Sequence, residues 1–392
     1  MIGVSAQTFT QVSGTVLDRT SGQVLVGASV TGGGHTVVTN GDGYFVLKTD
    51  TELKTITVSH VGFRAQRVRL TEQQQDEPLR ISLSPATIQL KEVLVMSANA
   101  RDLVEVAISK IPKNYSQRPE LFHCFYRETA QKRQNYIMIA EGVVDMYKSA
   151  YNYMANDNDR VAIRKGRRLL SPRKSDTLSV KVTGGPVLPI QLDIVKQRDF
   201  LLSEEELDCY HLEMEMPTTI GDRHQYVVSI RPRRKMPYAL YNGRLYIDQE
   251  TLAFTRAELS LDMKDRRKAT EMMLVRKPLG VRFRPKELSL LVDYHSENGI
   301  TRISYIRTLF RFNCDWRRRL FATGFTACCE MVVTGQNSAT RPIRGRESFD
   351  QRDAFFDKVD YFLDPVFWQD YNIIEPTESL NRAIARLMKR RL

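Results

Sequence analysis

Long hydrophobic runs are missing from this sequence of 392 residues. A helix that crosses a bilayer needs about 20 consecutive, mostly apolar residues, and the most apolar segments, such as 136–144, are interrupted by charge. The sequence therefore predicts no membrane-spanning helix. The apolar share of 42% and the charged share of 27% instead indicate a folded chain with well-formed cores.

Cysteine is scarce, and no C-x-x-C pair occurs. An odd number of irregularly spaced cysteines is no disulfide framework. We expect buried free thiols, although one bridge, for example between Cys124 and Cys209, would be allowed in an oxidising compartment. The five cysteines are Cys124, Cys209, Cys314, Cys328 and Cys329.

Histidine is also scarce, with six residues, and none has the spacing of a metal site. The nearest candidate is the trio Cys209, His211 and Glu213, which the alternation of a strand would place on one face. Such a trio is more often a core thiol with polar neighbours. We therefore predict no metal site and no cofactor.

Catalytic motifs are absent as well. The sequence has no G-x-S-x-G elbow, no H-E-x-x-H, no P-loop and no dinucleotide fingerprint. The glycines at 32–34 are typical of a turn, and Ser171-x-x-Lys174 lies in a basic stretch without its companion motifs. We predict that the protein is not an enzyme and has no catalytic residues. A hydrolase or transferase with a dispersed site remains an alternative. Glu128, Glu141 and Asp145 could line the concave face with Arg127, or equally form the satisfied polar network of a large sheet.

The net charge of +12 is unevenly distributed. Residues 1–98 carry eight basic and eight acidic side chains, so the entire excess follows them, which indicates a domain boundary near residue 98. Basic clusters in the second region could contact an anionic membrane surface. No recognition helix or zinc finger accompanies them, so nucleic acid is not an expected partner. The cluster residues are Arg164, Lys165, Arg167, Arg168, Arg317, Arg318 and Arg319.

Short alternating segments follow one another over residues 11–97. Val12–Asp18, His35–Thr39 and Thr55–Ser59 read as half-buried strands, and Val24–Val30 reads as another. Asn40-Gly-Asp-Gly43 has the chemistry of a tight hairpin turn, where positive φ angles are needed. Strands at about ten-residue spacing with glycine-rich turns predict a β-sandwich.

This region also resembles a known family. Gly14-Thr-Val-x-Asp18, Val26-Gly-Ala-Ser-Val30, Thr39-Asn-Gly-Asp-Gly-Tyr-Phe45 and Val58-Ser-His-Val-Gly-Phe63 look like the carboxypeptidase-regulatory-like domain, and 81–95 resembles its exit before the plug of TonB-dependent receptors. The resemblance implies a prealbumin-like, seven-stranded sandwich with a structural or docking role and no catalytic centre. Too few residues follow for a plug and a large barrel.

The resemblance also implies export. The first residues, 1–10, look like a signal-peptide remnant, with small residues but no basic start. We therefore expect a periplasmic or outer-membrane-associated protein of a Bacteroidetes-type bacterium.

A second β-rich region of unknown function is predicted over 98–375. A short helix at Asp102–Ile111 precedes long alternating segments, which are 121–128, 134–147, 224–231, 252–263, 272–275, 288–294, 303–312 and 321–333. They predict a large curved antiparallel sheet or a half-barrel, with flanking helices. Residues 152–186 read as an exposed basic excursion and 189–208 as mixed. An amphipathic basic helix, capped by Thr377, is predicted within 376–392 and would dock on the sheet.

Two further similarities concern this region. Phe125-Tyr-Arg-Glu128, Ala140-Glu-Gly142 and Phe367-Trp368 look like the region that accompanies this sandwich in envelope proteins of Bacteroidetes. The string 243–253 is similar to strands of the Lol-type lipoprotein carriers, half-open barrels that hold acyl chains. Predicted ligand contacts on the concave face are Tyr226, Val228, Ile230, Leu259, Leu261 and Met263.

The resulting hypothesis is a non-enzymatic cell-envelope protein. Its sandwich would dock an envelope partner, and its large sheet would bind an apolar or amphiphilic ligand. A purely structural adaptor is the second hypothesis, and the dispersed-site enzyme is the third. A deep apolar cavity would favour the carrier, a polar cleft with convergent buried carboxylates the enzyme, and a filled core the adaptor.

Overall fold

The computed structural model describes residues 10–71, 77–86, 99–152, 158–173, 176, 185–273, 280–316, 322–338, 341–361, 367–368 and 371–389. The described chain is mainly β, with a small sandwich followed by one large sheet.

The sandwich contains seven strands in two sheets. Its strands are β1 Thr10–Asp18, β2 Ser29–Gly32, β3 His35–Val38, β4 Tyr44–Thr49, β5 Thr55–Ser59, β6 Gln66–Arg69 and β7 Leu79–Leu83. One sheet has the order β4-β1-β7 and the other β3-β2-β5-β6. Alternate residues such as Val12, Val30 and Phe45 are fully buried between the two sheets. The strand predicted over Val24–Val30 is shorter, because only its end pairs with β3 and β5.

The turn at Asn40–Gly43 forms as the sequence predicts. The Asn40 side chain accepts hydrogen bonds from the backbone N–H groups of Asp42 and Tyr44, and Gly43 has a φ of 72°. Glycine suits this position because a positive φ costs it little.

The second region is built around an eleven-stranded sheet with the order β11-β12-β13-β14-β15-β16-β17-β8-β9-β10-β18. Its strands are β8 Glu120–Lys132, β9 Asn135–Lys148, β10 Arg160–Leu170, β11 Tyr210–Ile220, β12 Arg223–Pro232, β13 Tyr241–Asp248, β14 Phe254–Leu261, β15 Val281–Glu297, β16 Ile300–Trp316, β17 Thr323–Ser338 and β18 Asp360–Tyr361. All neighbours are antiparallel except β10 and β18. In the described residues the two edge strands do not pair, so the sheet is not closed into a barrel.

Six helices accompany the sheet in the described ranges. They are α1 Ala100–Ser109, α2 Ile111–Asn114, α3 Leu188–Gln191, α4 Glu204–Leu207, α5 Arg266–Met273 and α6 Glu378–Lys389. None of them, within the part of the chain described, combines the length and apolarity of a bilayer-crossing helix.

The two faces of the large sheet differ in chemistry, because successive side chains of a strand point to opposite sides. The apolar face carries residues such as Val228, Leu245, Leu259, Ile306 and Met331, which are at most 2% exposed. Helix α1 and the segment 187–207, which contains α3 and α4, pack on it and fill the main core.

The polar face carries Ser229, Arg244, Glu258, Arg307 and Glu330, which alternate with the residues of the apolar face. Its cover is partial. The sandwich, residues 367–368 and 371–377, and helix α6 lie over part of this face. Another part, lined by residues of β11–β16 such as Arg244 and Ser260, borders an open groove.

Both terminal helices of the second region confirm their predictions. Helix α1 begins after Asn99, which accepts a hydrogen bond from the N–H of Arg101. Helix α6 docks on β9 and β10, where Leu380 and Leu387 pack with Ile139 and Leu169. The Thr377 hydroxyl caps α6 by accepting a hydrogen bond from the N–H of Leu380 at 3.2 Å.

Two expectations were wrong. Residues 160–170, predicted as part of an exposed excursion, form strand β10, because their arginines find partners on β9 and on the C-terminal part of the chain. Met272, expected at the start of a strand, lies in helix α5 instead, and 274–279 lie outside the described residues.

The five cysteines are free, and four of them are buried, so the alternative Cys124–Cys209 bridge is not formed.

Candidate functional site

A single row of side chains crosses ten strands of the polar face. Each member lies directly opposite the next one on the neighbouring strand, and most members are charged with alternating sign. We call it the charged row. In strand order its members are Glu213, Ser229, Arg244, Glu258, Leu291, Arg307, Glu330, Arg127, Glu141 and Arg167.

One end of the charged row, the covered half, consists of Arg127, Glu141 and Arg167, and it is buried. The Nε atoms of Arg127 and Arg167 donate to the two carboxylate oxygens of Glu141 at 2.8 and 3.0 Å. The indole N–H of Trp368 also donates to this carboxylate, at 3.1 Å. Burial alone would raise the pKa of Glu141, but the two guanidinium charges lower it below its usual value. The carboxylate is therefore ionised and fully satisfied.

The segment of 367, 368 and 371–377, which we call the strap, lies over the covered half. It runs from β10 to β8, since the carbonyl of Phe367 accepts from Lys165 at 2.7 Å and that of Ile374 accepts from Arg127 at 2.5 Å. The ring of Phe367 also lies 4.1 Å from the Lys165 ammonium. Arg127 of the row and Lys165 of β10 thus bind two backbone carbonyl groups of the strap.

The other end, the open half, consists of Arg244, Glu258, Leu291 and Arg307. The side chains of Arg244 and Arg307 are 51% and 43% exposed. Arg244 donates from Nε to Glu215 at 2.6 Å, while the Nε of Arg307 lies 3.9 Å from the carboxylate of Glu330. Arginine carries five N–H donors, so each guanidinium retains donors for a further partner.

A groove of about 500 Å³ lies along the open half. Its lining comes from β11 to β16 and includes the small side chains of Ser229, Ser260 and Ser289. Neighbouring strands are about 4.8 Å apart, so a groove across six strands is about 24 Å long. Leu291 and Leu309 add partly buried apolar surface. Its volume falls in the range of ligand pockets.

The predicted ligand contacts lie on the other side of the sheet. They are packed in or against the main core, where Val228 and Ile230 are fully buried and Tyr226 and Met263 are partly buried. The structure does bring all six together, as the alternation predicted. Ile230 and Leu259 also border the groove. The six residues are Tyr226, Val228, Ile230, Leu259, Leu261 and Met263.

The predicted anionic-surface residues that the structure describes all lie on β10. Arg164 pairs with Asp145, and its side chain remains 59% exposed. Lys165 and Arg167 hold the strap, and Arg168 donates to the carbonyl of Phe356 at 2.6 Å. All four of these cations are thus engaged by the chain itself. Arg317, Arg318 and Arg319 lie outside the described residues.

Glu128 was expected to share a surface with Arg127, Glu141 and Asp145, and this was wrong. It follows Arg127 on β8 and therefore points to the apolar face, where it is 2% exposed. The hydroxyl of Tyr126 donates to it at 2.7 Å. Burial raises the pKa of Glu128 to about 7, against the smaller lowering by this hydrogen bond.

Sequence reasoning missed a buried ionic cluster beneath the apolar face. The Nζ of Lys148 and the hydroxyl of Tyr151 donate to Asp193 at 2.7 and 2.8 Å, and the hydroxyl of Tyr294 does so at 2.8 Å. Burial lowers the pKa of nearby Lys196 to about 8. This cluster fixes the segment 187–207 to β9 and β15. The mixed polarity of that segment was its only signal in the sequence.

The metal candidate of the sequence does not assemble. Cys209 is buried whereas His211 and Glu213 are exposed. Across the described ranges, no three His, Cys, Asp or Glu side chains are placed to hold a metal ion.

A sequence comparison bears on the sandwich. Residues 12–95 match the sequence model of one domain family, described as the CarboxypepD_reg-like domain. The fold agrees, since the seven strands of the sandwich, apart from the first two residues of β1, lie within this range. Residues 12–95 form a CarboxypepD_reg-like domain. A search of curated proteins gave no match to the sequence.

Three solved structures are similar to this chain, and each covers just over three fifths of it. A LolA superfamily protein from Nitrosomonas europaea is 13% identical, with 62% of this chain and 96% of that one covered and a TM-score of 0.22. A putative outer membrane lipoprotein-sorting protein domain from Vibrio parahaemolyticus is 11% identical, with 63% of this chain and 96% of that one covered and a TM-score of 0.28. A DUF1329 family protein from Desulfovibrio piger is 8% identical, with 62% of this chain and 95% of that one covered and a TM-score of 0.26. Similarity at this level identifies no ligand and no partner.

The CarboxypepD_reg-like domain is fixed to the large sheet and to the strap. Lys48 exchanges two backbone bonds with the side chain of Asn372, both at 2.8 Å, and its Nζ donates to the carbonyl of Trp368 at 2.9 Å. Asp42 accepts from the N–H of Glu378 at 2.6 Å, at the start of α6. The domain therefore closes one side of the polar face as an integral part of the molecule.

The same domain also reaches the β11 edge, beyond the open half. The N–H of Gly62 donates to the carbonyl of Thr219 at 2.8 Å, and that of Ala65 donates to Asp222 at 2.7 Å. Burial, together with the nearby charge of Arg256, lowers the pKa of His60. The domain and the groove are thus neighbours on the polar face.

Proposed function

We propose that this chain is a non-enzymatic binding protein of the cell envelope, and that its groove on the polar face holds a partner or an amphiphilic ligand. One observation carries the proposal: a groove of about 500 Å³ with exposed arginines and partly buried leucines is open, whereas the opposite face is filled. Ligand sites combine apolar lining with a few polar groups in this way.

The filled core argues against a ligand held between the helices and the apolar face. Val228, Ile230, Leu259 and Leu261 are each at most 4% exposed, and α1 and the segment 187–207 pack over them. Protein interiors are close-packed, and opening such a core would break many contacts. We propose that these side chains stabilise the fold and that the binding site is on the polar face.

For the enzyme alternative, His123 is placed as a general base would be, but among the described residues no nucleophile contacts it. His123 contacts Asp145 through Nδ1 at 2.9 Å, as a general base would contact its orienting carboxylate. Its Nε2 lies 3.0 Å from the side-chain amide of Asn337 rather than from a serine, threonine or cysteine. This supports binding rather than catalysis.

The structural adaptor is the second candidate, because the core is filled and the CarboxypepD_reg-like domain is built into the molecule. The adaptor hypothesis differs from the first proposal because in the adaptor the groove would bind no molecule in the cell. The envelope location rests on the resemblance of the sandwich to the domain that precedes the plug of TonB-dependent receptors.

Site-specific photo-crosslinking in the native host tests the groove. Benzoylphenylalanine placed at Ser260, in the lining, should give an adduct, because a bound molecule would lie within reach of its side chain. Arg311 is the matched control, since it is exposed on the polar face of β16 but outside the lining.

We expect at least fivefold more adduct at Ser260 than at Arg311, and the mass of the adduct would tell a polypeptide from an amphiphile. Equal adducts at the two positions, or none at either, would reject the groove as a binding site and leave the structural adaptor.

A further inference from the structure

The charged row is continuous, but only one of its halves has a cover. In the covered half a stretch of this chain's own backbone, the strap, lies across β10, β9 and β8. In the open half, the arginines and the glutamate of the row line a groove instead. We propose that the open half binds an extended segment of a partner polypeptide, in the way that the covered half binds the strap. This inference rests on the proposed function and names its partner.

The covered half shows how an arginine of the row serves two partners. Arg127 bonds to Glu141, its neighbour in the row, and also donates from Nη2 to the carbonyl of Ile374. The carboxylate holds the guanidinium in place, and the remaining donors bind backbone. Bonds from charged donors are stronger than those between neutral groups.

Arg244 and Arg307 stand in the same relation to carboxylates. Arg244 is held by Glu215, and Arg307 lies opposite Glu330 on β17. No other hydrogen bond from the Arg244 guanidinium appears among the described residues, and both side chains are about half exposed. They are thus poised to donate to carbonyl oxygens that cross the open half.

The dimensions of the groove fit an extended chain. It crosses six strands, about 24 Å, and a strand rises about 3.4 Å per residue, so about seven residues would span it. Asn242, Ser260 and Ser289 offer short polar side chains along this path. Their hydroxyl and amide groups can bond to backbone N–H groups that the arginines do not serve.

The lining also specifies the character of the segment. Leu291 lies between Glu258 and Arg307 in the row, and Leu309 follows on β16, so one apolar side chain would be buried near the middle. Three arginines and two glutamates line the groove, which favours a neutral or mildly acidic segment. The strap has the same character, with Trp368 and Ile374 buried between polar contacts.

A random nonapeptide phage library, selected on the full-length protein, provides the probe. The affinity of the best peptide is then measured by fluorescence anisotropy for the wild type and for Arg244→Ala, Arg307→Ala, Ser260→Trp and Arg311→Ala. Since the changed side chains are exposed, we expect all four variants to fold, which circular dichroism checks.

We expect Arg244→Ala and Arg307→Ala each to raise the Kd at least tenfold, because each removes a charged donor to the peptide backbone. Ser260→Trp should do the same by filling the groove. Arg311→Ala should change the Kd less than twofold.

No enrichment of peptides, or peptides that bind all variants alike, would overturn the inference. A groove adduct of amphiphile mass in the crosslinking experiment would also overturn it while upholding the proposed function. If no groove-specific adduct formed and the peptides bound all variants with the same affinity, both this inference and the proposed function would be rejected.

Discussion

The two faces of the large sheet are closed by different chemistry, and two glutamates on paired strands display the difference. Glu141 on β9 lies on the polar face between two arginines, and its pKa is lowered. Glu128 on β8 lies on the apolar face beside Tyr126, and burial raises its pKa to about 7. Both are at most 2% exposed. Burial alone therefore does not set the charge of a carboxylate in this sheet, because the partners on its own face decide it.

The largest effect should come from removing Glu141. Glu141→Ala leaves Arg127 and Arg167 buried without their counterion, which costs about 3–5 kcal/mol of stability in comparable buried pairs. Glu258→Ala is the control, as its side chain is 35% exposed and the loss should stay below about 1 kcal/mol. Urea unfolding followed by circular dichroism measures both. Equal losses would mean that the covered half is no more dependent on its charges than the open half.

The next effect concerns pH and Glu128. In the folded protein this carboxyl keeps its proton up to about pH 7, whereas in the unfolded chain it loses it near pH 4.5. Between these values the folded state binds more protons, so the free energy of unfolding falls as the pH rises, by about 3 kcal/mol in total for this group.

Glu128→Gln should remove this part of the pH dependence and make the protein more stable than the wild type at pH 8. Unfolding in urea at pH 5, 6, 7 and 8 tests it. If the free energy of unfolding of Glu128→Gln depended on pH as that of the wild type does, Glu128 would be ionised in the folded protein over this pH range.

The smallest effect tests how the CarboxypepD_reg-like domain is attached. Asn372→Ala removes two hydrogen bonds to the backbone of Lys48, which should cost about 1–2 kcal/mol. The same change at Asn337, which is exposed and contacts His123, is the control. Hydrogen exchange of β4 should accelerate only in Asn372→Ala. Unchanged exchange there would show that the domain is held by its other contacts.

Alternation alone was sufficient to predict much of the large sheet. β8, β9, β12 and β14–β17 each contain a segment identified from alternating apolar residues, since each has one face in a core. Strand β10 was missed because its basic residues suggest exposure. Their partners, Glu141, Phe356 and Phe367, are distant in sequence, so no local pattern reveals them.

The candidate site was only partly accessible from the sequence. The six predicted ligand contacts do share a face, but whether that face is empty depends on the segment 187–207, whose mixed polarity gave no clear element. The charged row could not be found without the register of nine strand pairs. Arg127, Glu141 and Trp368 did appear within motifs of the sequence, and the structure places them together under the strap.

The pairing of β8 with β17 also has a consequence for biosynthesis. β8 ends at Lys132 and its partner begins at Thr323. At about 5–20 residues per second, a ribosome needs roughly 10–40 s to make the chain between them. During that interval β8 has no neighbour on one side, and the strap that covers Arg127 does not yet exist. The time at which β8 pairs with β17 is therefore set by the synthesis of the last fifth of the chain.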